Sequence, residues 1–137
     1  FQERRVAKTY LARVAGEVAQ DTGEINLPLV ADWPNRPKQK VCFDSGKVAL
    51  TRWQVLSRDR DTSLLALTPV TGRSHQLRIH MREMGHPILG CDFYAPDAVL
   101  RAAPRLLLHA TRIAFKHPLS GQTLIAHSPA PADFYRD

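Results

Sequence analysis

The alternation of apolar and polar positions along the chain predicts strands near both ends and one well-marked helix between them. Residues 8–14, KTYLARV, place Tyr10, Ala12 and Val14 on one side of a strand and Thr9, Leu11 and Arg13 on the other, with Gly16 ending the run. Residues 23–29, GEINLPL, alternate again through Ile25, Leu27 and Leu29, and Pro28 restricts this stretch to a short strand or a sheet edge. Residues 49–58 and 63–70 read as two further strands joined by a hairpin loop at Asp59–Thr62. Residues 105–117 and 122–128 read as a last pair around a turn at Pro118–Gly121.

Between these pairs the period changes. Leu77, Met81 and Met84 recur at i, i+4 and i+7, Thr71 or Ser74 stands where an N-cap belongs, Gly85 ends the helix and Pro87 prevents its restart. A second short helix is expected from Pro96 to Ala103, closed by Pro104. Residues 1–8, FQERRVAK, read as the tail of a helix, and residues 31–41, with two prolines and an asparagine, as an ordered loop. The sum is an α+β fold: a mixed, mostly antiparallel sheet with one or two helices, and no internal linker or repeat.

Composition narrows the class. The 137 residues carry a formal charge of +6, which favours a polyanionic partner such as nucleic acid. Cys42 and Cys91 form no disulfide framework, which fits a reducing compartment, the cytoplasm. No apolar run approaches the roughly 18 residues of a membrane span, and the charged first residues lack the apolar segment of a signal peptide. The chain starts at Phe1, so a longer parent chain is expected, with the domain boundary before residue 1.

The densest chemistry lies in residues 71–90, TGRSHQLRIHMREMGHPILG. A helix start exposes unpaired N–H groups and partial positive charge. Arg73 before it and Arg78 near its first turn add a focused, bidentate anion site for a carboxylate or phosphate. Arg78 lies next to the apolar stripe, where a lone charge is costly, so it calls for a carboxylate partner. A solvated basic helix face is the competing reading. His75 and His80 are five apart and not four, so they point apart on a helix and no metal is expected. Ser74 beside His75 lacks the nucleophile elbow, and no phosphate-cradling or dinucleotide glycine motif occurs.

In WPNRPKQK, residues 33–40, the basic side chains of Arg36, Lys38 and Lys40 alternate beside Trp33, a composition suited to RNA phosphates and bases. A surface loop anchored by a half-buried Trp33 fits equally well. Tyr10, read alone, is an inward-facing strand aromatic.

Several separated stretches, in order, resemble one family. TGRSHQLRIHMREMGHPILGCDFY and RLLLHATRIAFKHP are similar to the C-terminal half of the RluA-type RNA pseudouridine synthases, and KTYLARVAG resembles the strand carrying their active-site tyrosine. LPLVADWPNRPKQKV resembles the dual-specificity branch, which modifies a large-subunit ribosomal RNA and transfer RNAs. The resemblance implies isomerisation of uridine by breaking the C1′–N1 bond, turning the base and rejoining it through C5, with no cofactor and no metal. It implies that Tyr10 packs on the target base and takes the C5 proton. Arg78 then pairs with a catalytic aspartate, and Leu108 supplies an apolar contact. Arg73, His75 and Gln76 are expected at an RNA-contacting rim, with Arg36, Lys38 and Lys40 on an outer loop.

The family's aspartate sits in an H-R-L-D-x-x-T-S-G segment upstream of the tyrosine strand, and no H-R-L-D occurs in these 137 residues. The piece alone is therefore expected to be inactive, its carboxylate partner lying in another part of the parent. A non-catalytic RNA-binding module on the same scaffold is the alternative. Missing strands would leave a bare sheet edge, through which the chain would self-associate.

Overall fold

The computed structural model describes residues 6–116 and 123–134. In chain order the strands are β1 (Val6–Ala15), β2 (Thr22–Asn26), β3 (Leu29–Ala31), β4 (Gln39–Val41), β5 (Leu50–Arg58), β6 (Thr62–Pro69), β7 (Leu108–Lys116) and β8 (Thr123–His127). Two helices, α1 (Gln76–Glu83) and α2 (Asp97–Leu100), lie between β6 and β7. Six strands form one sheet in the order β2-β5-β6-β1-β7-β8, and each neighbouring pair is antiparallel. The expected α+β architecture is the one found.

β1 lies inside the sheet, with β6 on one side and β7 on the other. Its alternation sorts the two faces. Ala12 and Val14 point to the larger core, where Trp53, Leu65 and Leu67 of the neighbouring strands meet Leu77, Ile79 and Met81 of α1. Leu11 points to a smaller core with Leu64, Leu89, Leu107 and Phe134. Arg13, on that second face, is buried: Nε and Nη2 donate to the Phe134 carbonyl at 2.9 and 2.7 Å, and Nη1 donates to Thr62 Oγ1 at 3.1 Å. The C-terminal 3-10 turn (Ala132–Phe134) is thereby fastened to the sheet.

Four expectations are corrected. Val6, Ala7 and Lys8 belong to β1 and not to a helix tail, because each pairs with β7. The proline-rich stretch is a hairpin, not a loop throughout: Val41 pairs with Leu29 and packs on the main core, which rewards the strand despite the nearby prolines. Trp33 is 65% exposed, so it does not anchor that stretch in the core. Neither Thr71 nor Ser74 caps α1. The cap position is His75, in the left-handed region at φ 55°, with no side-chain cap bond. The helix end does follow the sequence signal: Gly85 at φ 87° lets the His86 N–H reach the Met81 carbonyl and the Gly85 N–H that of Arg82. The turn expected at residues 118–121 lies outside the described residues.

Candidate functional site

Tyr10 follows the alternation of β1 onto the face of Ala12 and Val14. Thr9 pairs with Arg112 but Tyr10 with Ala110, so β7 carries an extra residue opposite this step and twists there. Tyr10 stays half-buried at the margin of the main core and opens onto a cleft of about 580 Å³. Leu77 and Leu108 line the same cleft, as do Lys8, Arg73, His75 and Arg78. The sequence-predicted pair Tyr10 and Arg78 thus share one concavity, with Leu108 beside them. A second hollow of about 490 Å³ lies mainly along the other side chains of β2, β5 and β6, among them Thr22, Glu24, Arg52 and Gln54. Its Arg52 is already paired with Glu24 at 2.8 Å.

Arg78 already holds a carboxylate from this chain, contrary to the expectation that its partner comes only from a missing segment. Its Nη2 donates to Asp92 Oδ1 and, at 2.7 Å, to the Asp92 carbonyl, while Nε donates to Cys91 Sγ at 3.3 Å. The reason is local: Gly90, at φ 74°, turns the chain so that Cys91 and Asp92 follow the side of α1. A Cβ at Gly90 would stand 1.9 Å from the Arg105 carbonyl, so glycine is required there. Burial works against the Arg78 charge, but Cys91 and Asp92 outweigh it and raise the guanidinium pKa. No bond from Nη1 is found among the described residues.

His75 is fixed from behind. Tyr94 Oη accepts the Gln39 N–H at 2.9 Å and is hydrogen-bonded to His75 Nδ1. A neutral His75 ring can sit in this bond as donor or acceptor, because the phenol oxygen has one proton and two lone pairs. Burial, seconded by the Arg78 charge and opposed by Asp92, lowers the His75 pKa, in keeping with the neutral ring. Burial also raises the Tyr94 pKa, against the Gln39 bond and the nearby Arg78 and Arg82 charges, so the phenol keeps its proton. One hydroxyl therefore ties the β3–β4 hairpin, the start of α1 and the loop after Gly90 together.

Gln76 lines the cleft but is itself buried, and its amide is taken up by the protein. Its Oε1 accepts Thr71 Oγ1–H at 2.7 Å and the Arg73 N–H at 3.1 Å, and its Nε2 donates to the Leu50 carbonyl and Thr51 Oγ1, both at 2.9 Å. The chain of bonds continues to His80, which is buried. Its Nε2 donates to the Leu27 carbonyl at 3.0 Å and its Nδ1 faces Thr51 Oγ1 at 2.8 Å. Burial, ahead of the opposing Leu27 bond and Glu83 charge, lowers the His80 pKa.

The remaining predicted residues scatter. Arg73 lines the cleft with its Nε held by the Val48 carbonyl at 2.7 Å. Arg36 lies over the Trp33 ring at 4.7 Å on the outer turn, and Lys40 is exposed on β4, neither in the cleft. Lys38 reaches inward, its Nζ 5.9 Å from the Phe93 ring centre. Cys91, Asp92, Phe93, Tyr94 and Lys8 were missed as site residues. The signal for the first four was a pair of aromatics three and four residues after Gly90.

The protein-family model described as RNA pseudouridylate synthase matches residues 1–83. The chain is 53% identical over 137 residues to the "Dual-specificity RNA pseudouridine synthase RluA" of Vibrio cholerae serotype O1, covering 98% of this chain and 54% of that protein. To the protein of the same name from Yersinia pestis it is 55% identical over 135 residues, covering 98% and 65%. To that of Escherichia coli (strain K12) it is 50% identical over 135 residues, covering 98% and 61%. The chain thus spans between 54% and 65% of the length of these curated relatives. Among solved structures, "Human RNA Pseudouridylate Synthase Domain Containing 1" is similar with a TM-score of 0.80 at 28% identity, over 94% of this chain and 56% of that one.

Proposed function

The chain belongs to the RNA pseudouridylate synthase family, and from that premise we propose that it forms the tyrosine-and-arginine half of a site that isomerises uridine in RNA to pseudouridine. The parent's substrates are large-subunit ribosomal RNA and transfer RNA, in line with the dual-specificity name of the relatives, and its place is the cytoplasm. The observation carrying the reading is that Tyr10 and Arg78, far apart in sequence, line one cleft with Leu108.

In this reading the target base leaves its stack and enters the cleft, the route open to any enzyme acting on a base. Tyr10 packs on it and takes the C5 proton after the base has turned and rejoined. Arg78 is held along its Nε and Nη2 edge by Cys91 and Asp92, and Nη1 is the nitrogen left for the family's aspartate. Holding that carboxylate ionised suits it to attack C1′ or to stabilise charge there. Arg73, His75 and Lys8 meet the RNA around the mouth, and Arg36, Lys38 and Lys40 meet its backbone farther out. Gln76 keeps the turn in shape from beneath. The bare edges of the sheet, β2 and β8 among the described residues, are where copies of the isolated piece would pair.

The test measures tritium release from RNA labelled at uridine C5. The 137-residue chain alone should release none. In a parent chain carrying the aspartate segment, Tyr10→Phe and Arg78→Met should each slow release by about 100-fold or more while the fold is kept. A loss below tenfold in the Arg78 variant, or release by the isolated piece, sinks the reading.

A further inference from the structure

Phe93 is an exposed aromatic beside this cleft, and the core does not explain it. Its neighbour Tyr94 is turned inward and 4% exposed, whereas Phe93 is 44% exposed. Its backbone sits at φ 68°, a left-handed conformation that side chains other than glycine rarely adopt. A scaffold that sustains this against a large side chain holds the ring outward. The ring is ringed by nitrogen: Arg78 Cζ lies 5.6 Å from its centre, Lys38 Nζ 5.9 Å, and the His75 imidazole 6.1 Å at an interplanar angle of 29°. Two of these three, His75 and Arg78, also line the cleft. The third belongs to the hairpin stretch that the Tyr94 hydroxyl fastens to α1.

We propose that Phe93 is the stacking platform for one unpaired nucleobase next to the base that enters the cleft. This rests on the RNA reading above and adds a subsite to it. An aromatic face beside a cation matches a nucleotide at both ends: the ring takes the base, and the Lys38 ammonium takes a phosphate next to it. A hydrophobic peptide would leave Lys38 and Arg78 facing apolar groups, which the desolvation of two charges disfavours. The His75 ring is tied to Tyr94 through Nδ1, which leaves Nε2 near the platform for the polar edge of a base.

The platform can be probed with a fluorescein-labelled, uridine-rich single-stranded RNA and the same strand made abasic throughout, by fluorescence anisotropy. Phe93→Asn removes the ring and tolerates the left-handed backbone, and Phe93→Trp keeps a stacking face. Phe93→Asn should weaken binding of the base-bearing strand roughly tenfold, Phe93→Trp should restore it, and neither should change binding of the abasic strand. Unchanged binding of the base-bearing strand by Phe93→Asn, or an equal loss on both strands, overturns the platform and leaves the RNA reading standing. No binding of either strand by the unsubstituted chain overturns both.

Discussion

Arg13 and Arg78 lie on opposite faces of the sheet, and their surroundings differ in what they leave over. Arg13 has 3% of its side chain exposed and commits Nε, Nη1 and Nη2 to groups of the protein: the Phe134 carbonyl, Thr62 Oγ1 and, at 3.9 Å, Asp59. Arg78 has 14% exposed and is gripped along one edge by a loop whose carboxylate, Asp92, is itself 64% exposed. The first guanidinium is a strut closing β1 onto the C-terminal turn. The second is held in position at a cleft wall with a nitrogen still to spend. Burial and pairing alone therefore do not mark a functional arginine; an edge left unused beside a cavity does.

The largest expected effect separates the two. Arg13→Met strands the buried Phe134 carbonyl, although Thr62 Oγ1 keeps Asp59, and should cost about 3 kcal/mol in urea unfolding. Arg78→Met leaves Asp92 to the solvent and should cost about 1 kcal/mol or less. Equal losses in the two variants would erase the distinction between strut and site.

The cleft side has a closed network of its own beneath the open one, and pH tests it. His80 has a folded pKa below its ordinary 6.5, so under acid the unfolded chain binds a proton that the folded chain refuses. Stability is fully present above about pH 6.5 and falls as pH drops below it, by up to about 1.4 kcal/mol per pH unit. The lowered His75 pKa adds in the same direction. His80→Gln should flatten the pH profile of unfolding below pH 6.5 relative to the unsubstituted chain. A profile equally steep in the variant would show that the network beneath α1 is not what acid breaks.

Much of this was legible in the residues. The strand alternation of residues 8–14 and the stop at Gly85 are local signals, enforced by local chemistry, and both hold. Tyr10 and Leu108 came from family likeness and Arg78 first from its place near the helix start, and only the folded chain brings them to one cleft. What was illegible depended on distant partners. Gln76 reads as a rim residue until Thr51 and Leu50 arrive from β5 to bury its amide. Arg13 reads as one polar position in an alternating strand until the C-terminal turn supplies a carbonyl 121 residues away. The β3–β4 hairpin was hidden because prolines weigh heavily in a short window, and the packing of Val41 does not show there.

The smallest effect is the sharpest. Asp92→Asn keeps an oxygen for Arg78 Nη2 and removes only the charge. With Asp92 mostly in solvent, thermal stability should change by no more than about 0.5 kcal/mol. One negative charge fewer beside Arg78 should tighten binding of single-stranded RNA about threefold at low ionic strength, and the gain should fade as salt is added. Weaker binding in Asp92→Asn would mean that Arg78 needs its carboxylate to stay in place, as Arg13 needs its carbonyl, and the two guanidiniums would then differ in degree only.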